Sequence, residues 1–382
     1  MRPMKPLRLF ALGLLLLSGA AGCANPQADP MADPTFFKTE NPKFLKDWGM
    51  VQISDGALVL GARVTPYDLT TPLFTDHAQK LRTIWMPPGV AADYDADDVL
   101  SFPVGTVITK TFFYQKGRGG RVRQQADQAM IHDGEGLSLK QVRMIETRLL
   151  IRRDDGWTAL TYLWNDAQTE AVLHRIGAVV PLTLAREDGS EEAFSYIVPN
   201  ATQCSACHAT NVATRAIQPI GPKARLLNRD FAYSDRSENQ LIHLAAMGYL
   251  KGLAAPDQVP LQPSWTDASA STEARARAYL DVNCGHCHNP VGAAATSGLY
   301  LNASAPLTGS AGLCKPPVAA GAGTGNLRYD IVPGKAEESI VPYRMASTHP
   351  AVMMPEIGRS TRHDEGVALI RFWIDAMEGN CQ

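Results

Sequence analysis

The chain contains the five-residue pattern C-x-x-C-H twice, at Cys204–His208 and at Cys284–His288. Two thiols three positions apart on the first turn of a helix can each add to one vinyl group of a haem, and the adjacent histidine then points its imidazole at the iron. One such pattern is expected by chance in about one chain in several hundred, so two are far rarer. The sequence predicts two covalent haems c, attached through Cys204, Cys207, Cys284 and Cys287, with His208 and His288 as proximal iron ligands.

Other uses of paired cysteines fit this sequence less well. A thioredoxin-like dithiol needs a βαβ context, which neither motif has. A zinc site would need both pairs to converge on one ion, yet each pair is followed by its own histidine. The sequence also lacks a glycine-rich phosphate loop, a serine nucleophile elbow and an HExxH motif. A formal net charge of −2 excludes a strongly basic nucleic-acid binder.

The first 22 residues read as a signal peptide. A positive start is followed by an apolar run, Leu9 to Leu17, and then by small residues that end at Cys23. The run is too short to span a membrane as a mature helix, which needs about 20 residues. The segment Ala20-Ala21-Gly22-Cys23 resembles a bacterial lipobox, in which the cysteine becomes the lipidated first residue. We therefore expect export, a lipid anchor at Cys23 as the only membrane attachment, and a flexible tether over residues 23–35. An ordinary secretory peptide, with Cys23 incidental, is the alternative.

Two further cysteines remain once the motifs and Cys23 are set aside. Cys314 and Cys381 are the two cysteines left over, and a pair of cysteines in an oxidising compartment favours a disulfide between them. Two independent free thiols are the alternative, since sequence alone does not place their Cα atoms.

The chain divides into a β-rich region at 36–200, a first haem segment at 201–262, a linker at 263–270 and a C-terminal all-α cytochrome c domain at 271–382. The fold class is therefore α+β and multidomain. Strands are predicted from β-branched and aromatic content, with a hairpin turn at Asp154-Asp155-Gly156. They cover Leu58–Val64, Thr106–Phe113, Val142–Arg153, Trp157–Trp164 and Ala193–Val198. Helices are predicted over Ser237–Leu250, from Ser271 or Thr272 into the second motif, and from about Asp364 to Met377.

Several segments occur in an order that resembles a family of exported bacterial dihaem c-type cytochromes. In the C-terminal domain these are Ser297-Gly298-Leu299, Ile331–Lys335, Glu338-Ser339, Met353–Gly358 and Trp373-Ile374-Asp375. The β region contributes Pro66–Leu69, Leu73–Asp76, Phe102–Thr106, Glu146–Leu150 and Tyr196–Asn200, and Leu227–Asp230 follows the first motif. The resemblance covers most of the mature chain. It implies haem binding and electron transfer in the periplasm or at the outer membrane, without a defined substrate.

The sixth iron ligands are less clear from the sequence. Met354, before Pro355 and ahead of the terminal helix, is the candidate for the second haem, with Met353 as its neighbour and a packing role for both as the alternative. For the first haem, Met247 is the candidate and His243 the alternative on the same helical face. The β region could instead supply Met130 or His132, or the iron could stay five-coordinate. Pro222 resembles the Gly-Pro loop that bonds the proximal histidine of small cytochromes, and His286 is expected to be exposed.

These expectations define an electron carrier that receives electrons from one redox protein and passes them to another, with no nucleic-acid partner. A dihaem enzyme of the peroxidase type, with one open haem, is the alternative. A third reading makes the β region a binding surface for carbohydrate or protein, on the basis of Trp157, Tyr162 and Trp164. Alternating aromatic residues in a strand also pack cores. The remaining histidines are expected to be surface or structural residues.

Overall fold

The computed structural model describes residue 1 and residues 33–125, 136–318 and 321–382. Between residues 36 and 200 the described part of the chain forms thirteen strands and no α-helix, and the α-helices begin after residue 200. The protein is thus of mixed α+β class with a mainly-β N-terminal region, which confirms that part of the fold prediction. Within the described residues, no helix has both the length and the apolar character needed to cross a membrane.

The strands of the N-terminal region vary from two to twelve residues in length. Their bounds are β1 Val51–Ser54, β2 Ala57–Leu60, β3 Thr65–Tyr67, β4 Gln79–Trp85, β5 Ala92–Asp93, β6 Val107–Lys116, β7 Val122–Arg123, β8 Gly136–Ser138, β9 Val142–Arg153, β10 Gly156–Trp164, β11 Ala171–Leu173, β12 Ala178–Ala185 and β13 Glu191–Val198. Three short strands follow later, β14 Asp230–Ala232, β15 Ser237–Asn239 and β16 Leu250–Lys251.

Nine of these strands form one sheet, in the order β11-β10-β9-β6-β7-β12-β13, with β4 paired to β6 and β3 paired to β4. The β9–β10 hairpin turns at Asp154 and Asp155, as the sequence predicts. Because successive side chains of a strand point to opposite faces, β6 packs Val107 and Phe113 into one hydrophobic core. Ile108 on the other face belongs to a second core. That second face borders the site described below.

Six α-helices lie in the described residues after the sheet. Their bounds are α1 Ala201–His208, α2 Ala224–Leu227, α3 Gln240–Ala246, α4 Thr272–Asn283, α5 Ile340–Ala346 and α6 Asp364–Asp375. The helix predicted over Ser237–Leu250 is therefore too long. Its first residues form β15, and the Asn239 side chain accepts a hydrogen bond from the Leu241 backbone to cap α3. Gly248 adopts a left-handed conformation (φ 74°) that ends the helical path.

The first haem segment shares a hydrophobic core with the β region. Leu226 of α2, Leu241 and Leu244 of α3 and Tyr249 pack with residues from the sheet such as Ile84. The C-terminal region has its own core around α4 and α6, where a Cβ on Gly366 would lie 2.4 Å from the Tyr279 hydroxyl. The described residues from 33 onward form one compact unit as a result.

Two further connections hold the C-terminal region in place. Trp265, inside the predicted linker at 263–270, is buried in the C-terminal core, so this segment is packed against the rest of the chain. Asp76 of the β region accepts hydrogen bonds from the backbone N–H groups of Ser360 and Thr361, at 2.6 and 2.7 Å. Burial raises the pKa of the Asp76 carboxyl.

The end of the chain is joined to an earlier loop by a disulfide. Cys314 and Cys381 are bonded, with their Cα atoms 5.2 Å apart and 67 positions apart in the sequence. Cys314 directly precedes Lys315, whose ammonium group pairs with Asp330 at 3.1 Å.

Candidate functional site

Both C-x-x-C-H motifs border a single cavity of about 800 Å³, which we call the shared cavity. One wall is the second face of the nine-stranded sheet, with Ile108, Lys110 and Arg148 among its residues. Another wall comes from the loop that contains Met354, Pro355 and Arg359. A pocket of this size, mostly apolar with a few polar groups, is typical of cofactor and ligand sites.

The first motif lies at the end of a short helix that follows the sheet directly. The side chain of Asn200 caps α1 by accepting a hydrogen bond from the Gln203 backbone N–H, and the Gln203 side chain accepts one from the Asn200 backbone N–H. Helix α1 contains Cys204 and Cys207, and His208 is its last residue. The expectation that the thiols lie on the first turn of a helix is therefore wrong, because the cap fixes the helix start three residues before the motif.

The second motif also follows a helix rather than starting one. Cys284 is the C-cap of α4, and Cys287 and His288 lie in the turn after it. Gly285 fits between neighbouring segments, because a Cβ at this position would lie 2.7 Å from the Asp281 carbonyl oxygen and 2.8 Å from Asn302 Cα. The helix end thus packs too closely for a side chain at position 285.

The two motif histidines have the same arrangement. The Nδ1 atom of His208 lies 2.8 Å from the Gln218 carbonyl oxygen, and that of His288 lies 3.2 Å from the Leu299 carbonyl oxygen. In the described residues no hydrogen bond to Nε2 of either ring is present. A backbone carbonyl that holds one ring nitrogen and leaves the other for iron is the usual support of a metal-bound histidine.

Electrostatics keep both rings neutral. Burial lowers the pKa of His208 to about 3, with a further contribution from the positive charge of Lys110. Burial also lowers the pKa of His288. A histidine must be unprotonated to coordinate a metal, so both rings are in the required state at neutral pH. The carbonyl that supports His208 belongs to Gln218, which corrects the assignment of that role to Pro222, although Pro222 also borders the cavity.

All four motif cysteines are free thiols in the structure. Burial raises the pKa of each of them, to about 12 for Cys284 and about 11 for Cys287. At neutral pH the thiols are therefore protonated. This is the form in which a thiol S–H can add across a vinyl group.

The two motifs are close to each other. The sulfur of Cys287 lies 3.9 Å from the carbonyl oxygen of Ala206, which is an internal residue of the first motif. The segments that follow the motifs are joined by a backbone hydrogen bond of 2.8 Å from the Val212 N–H to the Val291 carbonyl. Two cofactors attached here would be neighbours in one cavity.

Met354 borders the shared cavity, whereas the adjacent Met353 is buried outside its wall. The backbone around Met354 is fixed on both sides. Its N–H donates to the Arg344 carbonyl at 3.1 Å, and its carbonyl accepts from Arg359 at 2.9 Å. The thioether is thus available to the cavity while its main chain is held, which favours Met354 over Met353 as a ligand.

The two candidates for the first haem do not reach the cavity. His243 uses both ring nitrogens elsewhere, since Nε2 lies 3.0 Å from the Thr65 hydroxyl and Nδ1 lies 2.7 Å from a Glu238 carboxylate oxygen. Its ring also stacks on Tyr233, with centroids 3.7 Å apart. Met247 packs against the core that the sheet shares with α3. The structure therefore does not bring either side chain to the shared cavity, because tertiary contacts with the sheet make this face of α3 part of a core.

The other sequence candidates are placed as follows. Met130, His132 and Cys23 lie outside the described residues. Tyr162 and Trp164 are buried in the core on the first face of the sheet, which removes them from any binding surface. Among the described residues, no cluster of three or more His, Cys, Asp or Glu side chains could hold a metal ion by itself.

The cavity wall includes residues that the sequence analysis did not select. His286 was expected to be exposed, but the turn from Cys284 to His288 directs its ring to the cavity, where burial lowers its pKa to about 4. Met345 of α5 and His363 before α6 also border the cavity. Lys110 is the most unexpected of these, because an alternating strand pattern predicts a solvent-facing lysine. The position of Lys110 on the cavity wall follows from which strands pair with β6, and the sequence alone does not give that pairing.

We compared the chain with protein-family models, curated proteins and solved structures, and none of them matches it.

Proposed function

We propose that this protein is an exported dihaem c-type cytochrome that transfers electrons. The observation that carries the proposal is the pair of motif histidines, His208 and His288. Each ring is neutral, is held through Nδ1 by a backbone carbonyl, and stands beside two free thiols at the wall of the shared cavity. Haem c, when bound, would supply a one-electron iron couple.

Separate residues hold the two haems. Cys204 and Cys207 attach one haem, and Cys284 and Cys287 attach the other, while His208 and His288 act as the proximal ligands. Met354 is the sixth ligand of the second haem, and a thioether in this position raises the reduction potential relative to histidine. The sheet covers one side of the cavity, so it would shield haems held there from solvent on that side.

The haem count tests the proposal. The protein is expressed in the periplasm of a bacterium that attaches haem c, and covalent haem is counted by mass spectrometry and the alkaline pyridine assay. We expect two haems in the wild type, one in Cys204→Ser/Cys207→Ser and one in Cys284→Ser/Cys287→Ser. The matched control, Ser205→Ala, changes an internal residue of the first motif but no thiol, and keeps both. A wild type that carries no covalent haem under these conditions would contradict the proposal.

The assignment of Met354 has its own test. Low-temperature electron paramagnetic resonance of oxidised Met354→Ala is expected to show one low-spin haem converted to high spin, with Met353→Ala unchanged as the control. The opposite pattern would move the ligand to Met353. No change in either variant would mean that another cavity residue binds the second iron.

A dihaem enzyme of the peroxidase type is the second candidate, and one observation favours it. Neither His243 nor Met247 reaches the cavity, so the first haem has no sixth ligand among the residues that the sequence suggested. A high-spin signal from one haem of the wild type would support an open iron, and peroxide turnover would then be measured. Two low-spin signals would support the carrier.

The cellular setting is also a proposal. We propose that the mature protein starts at Cys23, is lipid-anchored to the outer membrane and faces the periplasm, where it exchanges electrons with redox protein partners. Fractionation of cells after labelling with a radioactive fatty acid tests the anchor. Wild-type protein should carry label in the membrane fraction, whereas Cys23→Ser should carry none.

A further inference from the structure

Three cationic side chains stand in one row across the sheet wall of the shared cavity. Arg82 of β4 pairs in register with Lys110 of β6, and Lys110 pairs in register with Arg148 of β9. All three border the cavity. Like charges directly opposite each other on neighbouring strands destabilise a sheet. A row of this kind in the interior therefore needs anions close by.

Two of the three cations have their own carboxylate. Arg82 lies 2.5 Å from Asp68. Arg148 donates to both carboxylate oxygens of Glu146, with its Nε 2.9 Å from Oε2, and the Glu146 side chain is fully buried. These pairs neutralise the two ends of the row.

The central cation has no such partner. In the part of the chain that the structure describes, no carboxylate forms an ion pair with Lys110, and its ammonium group instead lies over the ring of Phe112, 5.2 Å from the centroid. Burial lowers the pKa of Lys110 to about 7, and the charges of Arg148 and Arg82 add to this effect. The side chain of Lys110 is only partly exposed, so an ammonium group without a paired carboxylate is costly there, and an anion supplied from inside the cavity would reduce that cost.

Lys110 faces the first motif. Lys110, Cys204, Cys207 and His208 line the same cavity, and the positive charge of Lys110 lowers the pKa of His208 further. A haem attached at Cys204 and Cys207 would occupy this part of the cavity, and haem has two propionate carboxylates. Charge-assisted hydrogen bonds from an ammonium to a carboxylate are stronger than neutral ones.

We propose that Lys110 is the cationic group of a carboxylate-binding site on the sheet wall, and that it binds a carboxylate of the first haem. The inference rests on the proposed function for the presence of that haem. The same chemistry could also accept a free carboxylate from solution, and the experiment separates the two sources.

The test is a spectroelectrochemical titration of the holo-protein with three variants. Lys110→Met removes the charge with little change in shape, Lys110→Arg keeps the charge, and Lys116→Met removes an exposed charge from the end of the same strand. Each protein is titrated with and without added sodium acetate, and its covalent haems are counted.

We expect Lys110→Met to keep two haems and to show a lower midpoint potential for one of them, because the loss of a nearby cation favours the ferric form. The expected change in the oxidised-to-reduced ratio is about tenfold, which corresponds to about 59 mV for a one-electron couple. Lys110→Arg should restore most of the potential, and Lys116→Met should match the wild type. Acetate should have no effect.

Three results would count against the inference, and they are distinguishable. Unchanged potentials in Lys110→Met with two haems bound would overturn the role of Lys110 and leave the cytochrome proposal intact. A response to acetate in the wild type that is lost in Lys110→Met would show a carboxylate from solution and overturn the assignment to haem. A wild type without haem would overturn the proposed function itself.

Discussion

Removal of the disulfide between Cys314 and Cys381 is expected to cost a large part of the stability of the fold. The bond closes a loop of 67 positions. On the chain-entropy account, a loop of this size restricts the unfolded chain by about 4.4 kcal/mol at 25 °C. Globular proteins are stable by only about 5–15 kcal/mol, so the double variant Cys314→Ser/Cys381→Ser should unfold at a much lower denaturant concentration.

Urea unfolding followed by tryptophan fluorescence measures this cost. Wild type and variant are compared as holo-proteins with equal haem counts, so that cofactor loss does not enter the difference. The motif cysteines are only three positions apart and close no long loop, so their attachment cannot replace the disulfide. A loss of less than about 1 kcal/mol would refute the reasoning, since it would mean that the bond hardly restricts the unfolded chain.

Three further predictions concern buried groups. Glu146→Gln should cost about 3 kcal/mol or more, because it leaves the charge of Arg148 without its partner, and a double-mutant cycle with Arg148→Met should recover part of the loss. Because the pKa of Asp76 is raised in the folded protein, the protonated carboxyl stabilises the folded state relative to the unfolded chain. This stabilisation is complete below the usual carboxyl pKa of 3.8 and is lost as the pH rises through the higher pKa of the folded state. Asp76→Asn should therefore gain stability over the wild type as the pH rises from about 4 to about 7, and a constant difference across urea titrations at these pH values would contradict this. Gly366→Ala should lower the thermal midpoint by the equivalent of about 1–3 kcal/mol, because its Cβ would overlap Tyr279, whereas a normal midpoint would show that the ring can move aside.

The parts of the site that the sequence predicted are those whose chemistry is local. The spacing within Cys204–His208 and Cys284–His288 is a requirement of attachment and needs no knowledge of the fold. The long strands could be predicted for a similar reason, because β-branched and aromatic residues mark them along a continuous stretch. The Asp154-Asp155-Gly156 turn follows from its own three residues.

The parts that could not be predicted depend on contacts distant in the chain. His243 lies on the same helical face as Met247, which suggested an iron ligand, but in the fold Thr65 and Glu238 contact both of its ring nitrogens. Lys110 looks like a solvent-facing strand residue until the register places it between two arginines. No local pattern contains such information, because a register is a relation between strands.

The hydrogen bond between Val212 and Val291 has a kinetic consequence for the dihaem protein proposed above. It connects the segments that follow the two motifs through backbone atoms, within a unit that has one continuous fold. Electrons could then pass between the centres by tunnelling over a fixed gap, without a hinge movement to bring the centres together. The rate of exchange between the haems should accordingly be independent of solvent viscosity, and only encounters with other proteins should slow in a viscous medium.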